Sequence, residues 1–179
     1  VEGPIWKDKT SIIVGARASL SDFYLKYFNN PLLSNSKANF YDINAKMTHQ
    51  FGKNQRISLS FYRSTDAFKF TRDTLYFNNT QSISFKHNAL LNRKTSHNFL
   101  AFQSRYFYGV EGLKPQFEYK WQPSIIQRTL KEDLSYELSE KSKIDFGGQF
   151  DYFMNDAGSF LPNSQNSIVE TFNMQKEYS

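Results

Sequence analysis

Apolar and polar residues alternate along seven segments of this chain. In the first segment Ile12, Val14 and Ala16 share one side of an extended backbone, and polar residues project from the other side. A period of two residues is typical of a β-strand with two different faces. The predicted strands cover residues 11–20, 39–51, 56–68, 82–91, 97–110, 124–138 and 143–154. We therefore predict an all-β protein with seven long strands, and a β-bulge where the alternation slips between Arg63 and Phe68.

The connections between these segments are of two kinds. Short basic or polar turns alternate with much longer stretches that are rich in Asn, Ser, Pro and aromatic residues. The predicted tight turns are residues 7–10, 52–55, 92–96 and 139–142, and the predicted long loops include residues 20–38, 71–81 and 157–176. Bacterial outer-membrane barrels have this asymmetry, with short periplasmic turns and longer extracellular loops. The pattern predicts an antiparallel up-and-down sheet whose two ends differ.

Strand length separates two all-β architectures. Strands in globular proteins are usually about five or six residues long, whereas a tilted strand needs about 9–11 residues to cross a bilayer. The predicted strands reach or exceed the second length. Aromatic residues such as Tyr106, Tyr108, Trp121 and Tyr152 also lie toward the loop ends, where barrels carry aromatic girdles. We therefore expect a transmembrane β-barrel, and a soluble sandwich that binds a ligand or a glycan is the alternative.

The composition agrees with that expectation. Only 39% of the 179 residues are hydrophobic and the mean hydropathy is −0.62, as expected if only every second strand residue meets lipid. No run approaches the ~18 apolar residues of a membrane-spanning helix. The chain has no cysteine, which excludes disulfides and cysteine-ligated metals. The net charge is +5, but the basic residues are scattered over turns and loops, so a nucleic-acid partner is not expected.

Three segments carry a resemblance to a known family. Residues 2–17, EGPIWKDKTSIIVGAR, resemble a run early in the barrel of TonB-dependent outer-membrane receptors of Bacteroidetes-type bacteria. In that run a strand ends in EGPI and the next begins TSFIVGGRR. Residues 40–46, FYDINAK, are similar to the family's FYDLNAK, and residues 56–62, RISLSFY, look like its next strand. The resemblance covers essentially the whole chain.

The resemblance implies a fold and a function. Such receptors form a 22-stranded barrel with a plugged lumen, bind a scarce nutrient outside the cell and import it with energy delivered by TonB. Residues 1–179 would then be a partial outer-membrane β-barrel of about seven long strands, with neither the plug domain nor the TonB box. The implied nutrient is a siderophore, a glycan, a peptide or a vitamin. A small self-contained outer-membrane barrel is a further alternative.

Partners and location follow from the same resemblance. It implies the outer membrane of a Gram-negative bacterium, with contacts to outer-membrane lipid, to the rest of the barrel and its plug domain, to TonB through the missing box, and to a surface lipoprotein. The side of the strands that faces away from lipid would line the lumen. The charged residues predicted to face the lumen are Arg17, Lys46, Lys86, Arg105, Lys131, Asp133, Asp145 and Asp151.

Candidate residues for chemistry are few. His49, His87 and His97 lie near the predicted tight turns, and the last two flank one of them. No carboxylate lies beside that pair in sequence, and neither a Gly-x-Ser-x-Gly nor a His-Glu-x-x-His motif is present. We predict that the chain is not an enzyme, with no catalytic residue, no cofactor and no metal site, and that the histidines form an interfacial polar belt. Ligand contacts are expected in the long loops, where the sequence assigns no particular residue.

Overall fold

The computed structural model of the protein describes residues 1–69 and 73–179. Its elements in chain order are β1 (Glu2–Trp6), β2 (Thr10–Leu20), α1 (Asp22–Leu25), α2 (Pro31–Ser34), β3 (Lys37–Phe51), β4 (Gln55–Lys69), β5 (Thr74–Asn92), β6 (Thr95–Gly112), β7 (Tyr119–Trp121), β8 (Ser124–Ser139), β9 (Ser142–Asp156), β10 (Ser159–Pro162), β11 (Phe172–Asn173) and β12 (Lys176–Tyr178). In the described part of the chain, no helix has the length and apolarity needed to cross a membrane. The seven predicted long strands correspond to β2, β3, β4, β5, β6, β8 and β9, so this prediction is confirmed.

All twelve strands belong to one antiparallel sheet. From β1 to β6, strands that follow one another in the chain lie side by side. β8 and β7 then pair with successive parts of β6, and β9 and β10 continue beside them. The last position is filled by β12 beside β9 and β11 beside β10. The chain is therefore an up-and-down meander in which each of the last three places in the sheet is occupied by two strand segments with a break between them.

The two ends of the sheet differ, as predicted. Tight turns join β1 to β2, β3 to β4, β5 to β6 and β8 to β9 at one end, and Asp8 and Gly52 adopt left-handed conformations within them, with φ of 59° and 60°. At the other end, residues 21–36 contain both helices, and residues 113–118 and 163–171 form two more connections. The prediction of a long loop over residues 71–81 is wrong for its greater part, because β5 begins at Thr74. Residues 71 and 72 lie outside the described part of the chain.

The interruption between β9 and β10 is a β-bulge centred on Gly158. Asp156 is paired with Ser124, but Phe160 is paired with Trp121, so the second strand holds one extra residue. Gly158 accommodates this extra residue with a φ of 78°, a conformation that glycine adopts without steric cost. Two hydrogen bonds fix the geometry: the Gly158 N–H donates to the Asp156 carboxylate over 3.0 Å, and the Trp121 Nε1–H donates to the Ala157 carbonyl over 2.8 Å.

The strand register divides the sheet into two chemically different faces. Residues directly opposite one another in neighbouring antiparallel strands project from the same face. One row is apolar in every long strand and consists of Ile12, Met47, Leu59, Phe85, Ala101, Leu130 and Phe150. The adjacent row projects from the other side and consists of Ile13, Lys46, Ser60, Ser84, Phe102, Thr129 and Asp151. We call these two sides the apolar face and the polar face.

In the part of the chain that the structure describes, neither face is covered by a second layer. The accessible surface is 12820 Å², well above the ~9,000 Å² expected of a compact protein of 21.0 kDa. Among the described residues, the buried apolar side chains are Ala89 and Val110, whereas Leu130 is 52% exposed and Phe150 is 64% exposed. A soluble sandwich needs two sheets packed face to face, so the strands do not form the architecture that was the alternative.

Three further sequence predictions about the sheet are wrong. β4 keeps one continuous register with both neighbours through residues 63–68, so no bulge interrupts it there. Arg105 is opposite Gln81, which is opposite Arg63. Arg105 therefore projects from the apolar face, and its predicted position in the lumen is wrong. The other seven charged residues predicted to face the lumen all lie on the polar face. Residues 157–176, predicted as a loop, contain β10, β11 and the first residue of β12.

The bulge gives a direct test of the fold. We expect Gly158→Ala to lower the free energy of unfolding by more than about 1 kcal/mol, because φ is positive and the new Cβ would meet the Gln122 backbone at 2.6 Å. The matched control is Gly148→Ala within β9, where a Cβ meets no atom within 4 Å. The measurement is the midpoint of denaturant-induced unfolding. Equal midpoints for the two variants would contradict the bulge.

Candidate ligand-binding site

Aromatic side chains converge on the polar face at the loop end of the sheet. Tyr76 on β5 and Tyr108 on β6 stack with their ring centroids 6.4 Å apart. Trp121 on β7 meets Tyr108 edge to face at 6.3 Å, and Tyr119 stacks on Phe160 of β10 at 4.5 Å. Such ring pairs are favourable beyond the apolar area that they bury. The outer parts of four strands are therefore joined by aromatic contacts, which we call the aromatic cluster.

The local sequence explains how these rings reach one another. Gly112 ends β6 opposite Tyr119, and a Cβ at Gly112 would lie 2.3 Å from the Tyr119 ring. Because the glycine has no side chain, the Tyr119 ring lies close against the backbone of β6. Pro123 separates β7 from β8, and its carbonyl still accepts a hydrogen bond of 3.2 Å from the Tyr108 N–H, so the interruption leaves the two strands in one ladder. The aromatic cluster thus extends a regular sheet.

A concave site of about 400 Å³ lies beside the aromatic cluster. Its lining residues are Tyr106, Tyr108, Pro123, Ser124, Ile125, Asn155, Asp156, Ala157, Gln175 and Glu177. The register places Tyr106 opposite Ile125, Ile125 opposite Asn155, and Asn155 opposite Glu177, so these side chains share the polar face. Binding sites for small molecules combine apolar walls with a few polar groups that fix orientation. Tyrosine rings with nearby amide and carboxylate groups suit a polar organic ligand.

Two titratable groups at this site are held in fixed protonation states near neutral pH. Burial raises the pKa of the Tyr108 hydroxyl, and the neighbouring Tyr76, Tyr106 and Tyr119 raise it further, so the hydroxyl remains a hydrogen-bond donor. The Gly158 N–H lowers the pKa of the Asp156 carboxyl, and the Lys176 ammonium, 3.2 Å away, lowers it further. Tyr108 therefore offers the site a neutral phenol donor, whereas the paired Asp156 carboxylate is opposite Ser124 and projects from the apolar face.

A second polar cluster lies on the apolar face near the tight turns. His97 Nδ1 lies 2.6 Å from the Glu132 carboxylate, and His97 Nε2 lies 3.0 Å from His87 Nδ1. His49 is elsewhere, with its Nδ1 2.7 Å from the Thr10 hydroxyl. Sequence reasoning placed His87 and His97 together but missed Glu132, because this carboxylate comes from β8, 35 residues away in the chain. Only the pairing of β6 with β8 brings it to the histidines.

The histidine cluster is poorly arranged for chemistry. Both ring nitrogens of His97 are occupied by contacts within the protein, so neither is free to act on a substrate or to bind a metal ion. Among the described residues, no three His, Asp or Glu side chains are grouped to hold a metal ion. The concave site beside the aromatic cluster is therefore the stronger candidate. The concave site lies at the loop end of the sheet, but strand residues form most of its lining. No sequence motif in the loops could therefore predict it.

Comparison with known proteins adds no relative. No protein-family model, curated protein or solved structure matches this chain. Function is therefore inferred from the sheet, its two faces and the side chains that each face presents.

The lowered pKa of Asp156 predicts a pH-dependent difference in stability between the wild-type protein and Asp156→Asn. A carboxyl group with a depressed pKa in the folded state contributes stability above its unfolded pKa, near 3.8, and loses that contribution as pH falls through the folded value. We therefore expect wild type to exceed Asp156→Asn in unfolding midpoint above about pH 5, and the two to converge toward about pH 2. Groups common to both proteins cancel in this difference. A difference that stays constant over this range would contradict the assignment.

Proposed function

We propose that this chain is an arc of a transmembrane β-barrel in the outer membrane of a Gram-negative bacterium, and that the barrel is a TonB-dependent nutrient receptor. One observation carries the membrane part: a single-layer sheet exposes a continuous apolar row from β2 to β9. Met47, Leu59 and Phe85 of that row are 40%, 42% and 38% exposed. Water is a poor solvent for so large an apolar surface, whereas a bilayer covers it.

The height of the apolar face supports a bilayer as the covering medium. On β9 this face carries Ile144, Phe146, Phe150, Tyr152 and Met154. At ~3.3 Å per residue, the segment from Ile144 to Met154 is about 33 Å long. Tilted by ~40°, it spans about 25 Å, the height of the apolar band on outer-membrane barrels. Two polar contacts lie inside this band: Glu132 contacts His97, and Arg128 donates to Gln103 over 3.0 Å.

Backbone hydrogen bonding supports an arc of a larger barrel. Strands between the two edges of the sheet are paired on both sides. In the part of the chain that the structure describes, β1 pairs with β2 alone, β11 with β10 alone and β12 with β9 alone. Open edges are not stable in lipid, because unpaired N–H and C=O groups cost several kcal/mol each. In the barrel that we propose, further strands complete the ladder on both sides. A barrel of more strands would also provide the lumen that the polar face lines.

The polar face has the character of a hydrated lumen. Lys131 and Asp133 form an ion pair at 3.0 Å, and Lys143 and Asp145 form another at 2.8 Å. Arg17 pairs with Asp42 across β2 and β3. Charges of both signs keep such a surface wet and provide contacts for a plug. The concave site beside the aromatic cluster opens on this same face, where a ligand entering from the loop side would be held before import.

The nutrient-receptor part rests on the sequence motifs together with that site. Residues 2–17, which resemble the opening of the receptor barrel, form β1, a tight turn and the first part of β2. Residues 40–46, similar to the family's FYDLNAK, lie in the middle of β3. With the tight turns on the periplasmic side, the aromatic cluster and its concave site lie on the extracellular side. This position suits capture of a polar nutrient from outside the cell.

Two arginine substitutions on neighbouring residues of β5 test the membrane location. We expect Phe85→Arg to destabilise the inserted protein by about 2–4 kcal/mol, because the new charge faces the middle of the bilayer. Lys86→Arg should be neutral, because it keeps a positive charge on the polar face. The measurement is the amount of folded protein in the outer-membrane fraction. Equal amounts of the two variants would contradict the assigned faces.

Phe85→Arg would also destabilise a soluble protein with a hidden apolar core. A partition measurement therefore distinguishes a membrane protein from a soluble one. We expect the wild-type protein to remain with the membrane after salt and alkaline washing and to enter solution only with detergent. Its appearance in the aqueous phase without detergent would refute the membrane location.

The size of the native polypeptide tests the receptor part. If the sheet is an arc of a plugged barrel, the protein extracted from outer membranes will have an intact mass several times 21.0 kDa, with plug-like sequence upstream. A native mass near 21.0 kDa would contradict the receptor and leave a small barrel closed by association of copies.

A further inference from the structure

We infer that the apolar face carries a binding site for a phosphorylated lipid of the outer leaflet, in which Arg63, Arg105 and Arg128 hold the phosphate and an apolar groove below them holds acyl chain. This inference rests on the proposed membrane location, and it adds a specific lipid partner to that location. Its basis is the juxtaposition of a groove and three cations that, among the described residues, form no ion pair with a carboxylate.

The groove lies on the apolar face across β4, β5, β6, β8 and β9, with a volume of about 490 Å³. Ala101 forms its floor, because the register places this methyl group between the larger Phe85 and Leu130. Leu59, Ile83 and Phe150 complete the apolar walls. A depression lined by aliphatic and aromatic groups on a lipid-facing surface accepts a hydrocarbon chain and gains dispersion contacts that a flat surface lacks.

The three arginines lie on the loop side of this groove. Arg63, Gln81 and Arg105 are directly opposite one another on β4, β5 and β6, so the two guanidinium groups are anchored on backbones about 9.5 Å apart. Arg128 on β8 is diagonal to Arg105, at a distance of about 7–8 Å between backbones. All three side chains are exposed. They form one basic patch at the loop-side end of the apolar band.

No carboxylate neutralises this patch. In the part of the chain that the structure describes, none of the three guanidinium groups forms an ion pair with Asp or Glu. Two of them contact neutral groups: Arg105 lies 5.9 Å from the Phe107 ring centroid, and Arg128 lies 5.7 Å from that of Tyr152 and donates to Gln103 over 3.0 Å. Such contacts orient an arginine without satisfying its charge. The patch can therefore bind an anion from outside the protein.

Position and chemistry identify that anion as a lipid phosphate. Guanidinium groups bind phosphate oxygens in a bidentate fork, and an arginine on the lipid face is costly toward the midplane but nearly free of cost at the interface. Arg128 and Gln103 also line the groove itself, so one ligand can occupy both parts. A molecule with a phosphate next to acyl chains fits this arrangement, and a free anion fills only half of it.

Spin-labelled lipids test the inference on the detergent-purified protein reconstituted in phosphatidylcholine vesicles. Electron paramagnetic resonance measures the fraction of label that the protein immobilises. We expect label on phosphatidic acid to associate at least fivefold more strongly than label on phosphatidylcholine, since about fivefold is expected from each arginine near a lipid surface. The triple variant Arg63→Gln, Arg105→Gln, Arg128→Gln should lose this preference and still immobilise phosphatidylcholine.

A triple variant on the polar face is the matched control. Lys46→Gln, Lys86→Gln and Lys131→Gln remove the same charge from the other face, and the preference for phosphatidic acid should survive. If both triple variants lose it equally, or if wild type shows no preference while immobilising phosphatidylcholine, the lipid site is refuted and the membrane location stands. If no label is immobilised at all, the membrane location itself fails and the inference fails with it.

Discussion

Hydrogen bonding between neighbouring strands is the constraint on which the rest of this structure depends. The sheet has one layer, and among the described residues the buried apolar side chains are Ala89 and Val110, so packing in a core cannot hold it together. The ladders from β2 to β9 do so instead, each with a nearly unbroken register. Because register fixes which residues share a face, the same ladders also decide where every functional group lies.

The side chains on each face indicate the surroundings that the face requires. A surface with Phe85 and Phe150 exposed needs an apolar neighbour, and a surface with paired Lys131 and Asp133 needs water. One sheet satisfies both needs when it separates lipid from a lumen. The bulge at Gly158 lets the outer parts of the last strands continue as β7, β10 and β11, and this extension carries the aromatic cluster. In the receptor that we propose, nutrient capture at the loop end and lipid contact along the band both follow from one register.

The alternation of residues predicted most of the strands because seven segments differ strongly between their two sides. β6 was assigned to the wrong phase because Phe99, Leu100, Ala101 and Phe102 are apolar on both sides, and only the pairing of Ala101 with Phe85 resolves it. The start of β5 was missed because Asn78 and its neighbours have the composition of a loop. The concave site and the Glu132 contact could not be predicted, since both join residues from strands that are distant in the chain.

The most direct test of this account is the depth of alternate β5 side chains relative to lipid. The chain has no cysteine, so a fluorophore can be attached after Ile83→Cys, Ser84→Cys, Phe85→Cys or Lys86→Cys, one at a time. Lipids with a nitroxide on the acyl chain should quench the fluorophore at positions 83 and 85 and leave positions 84 and 86 largely unaffected. Quenching at all four positions, or at none, would contradict a sheet with one face in the bilayer.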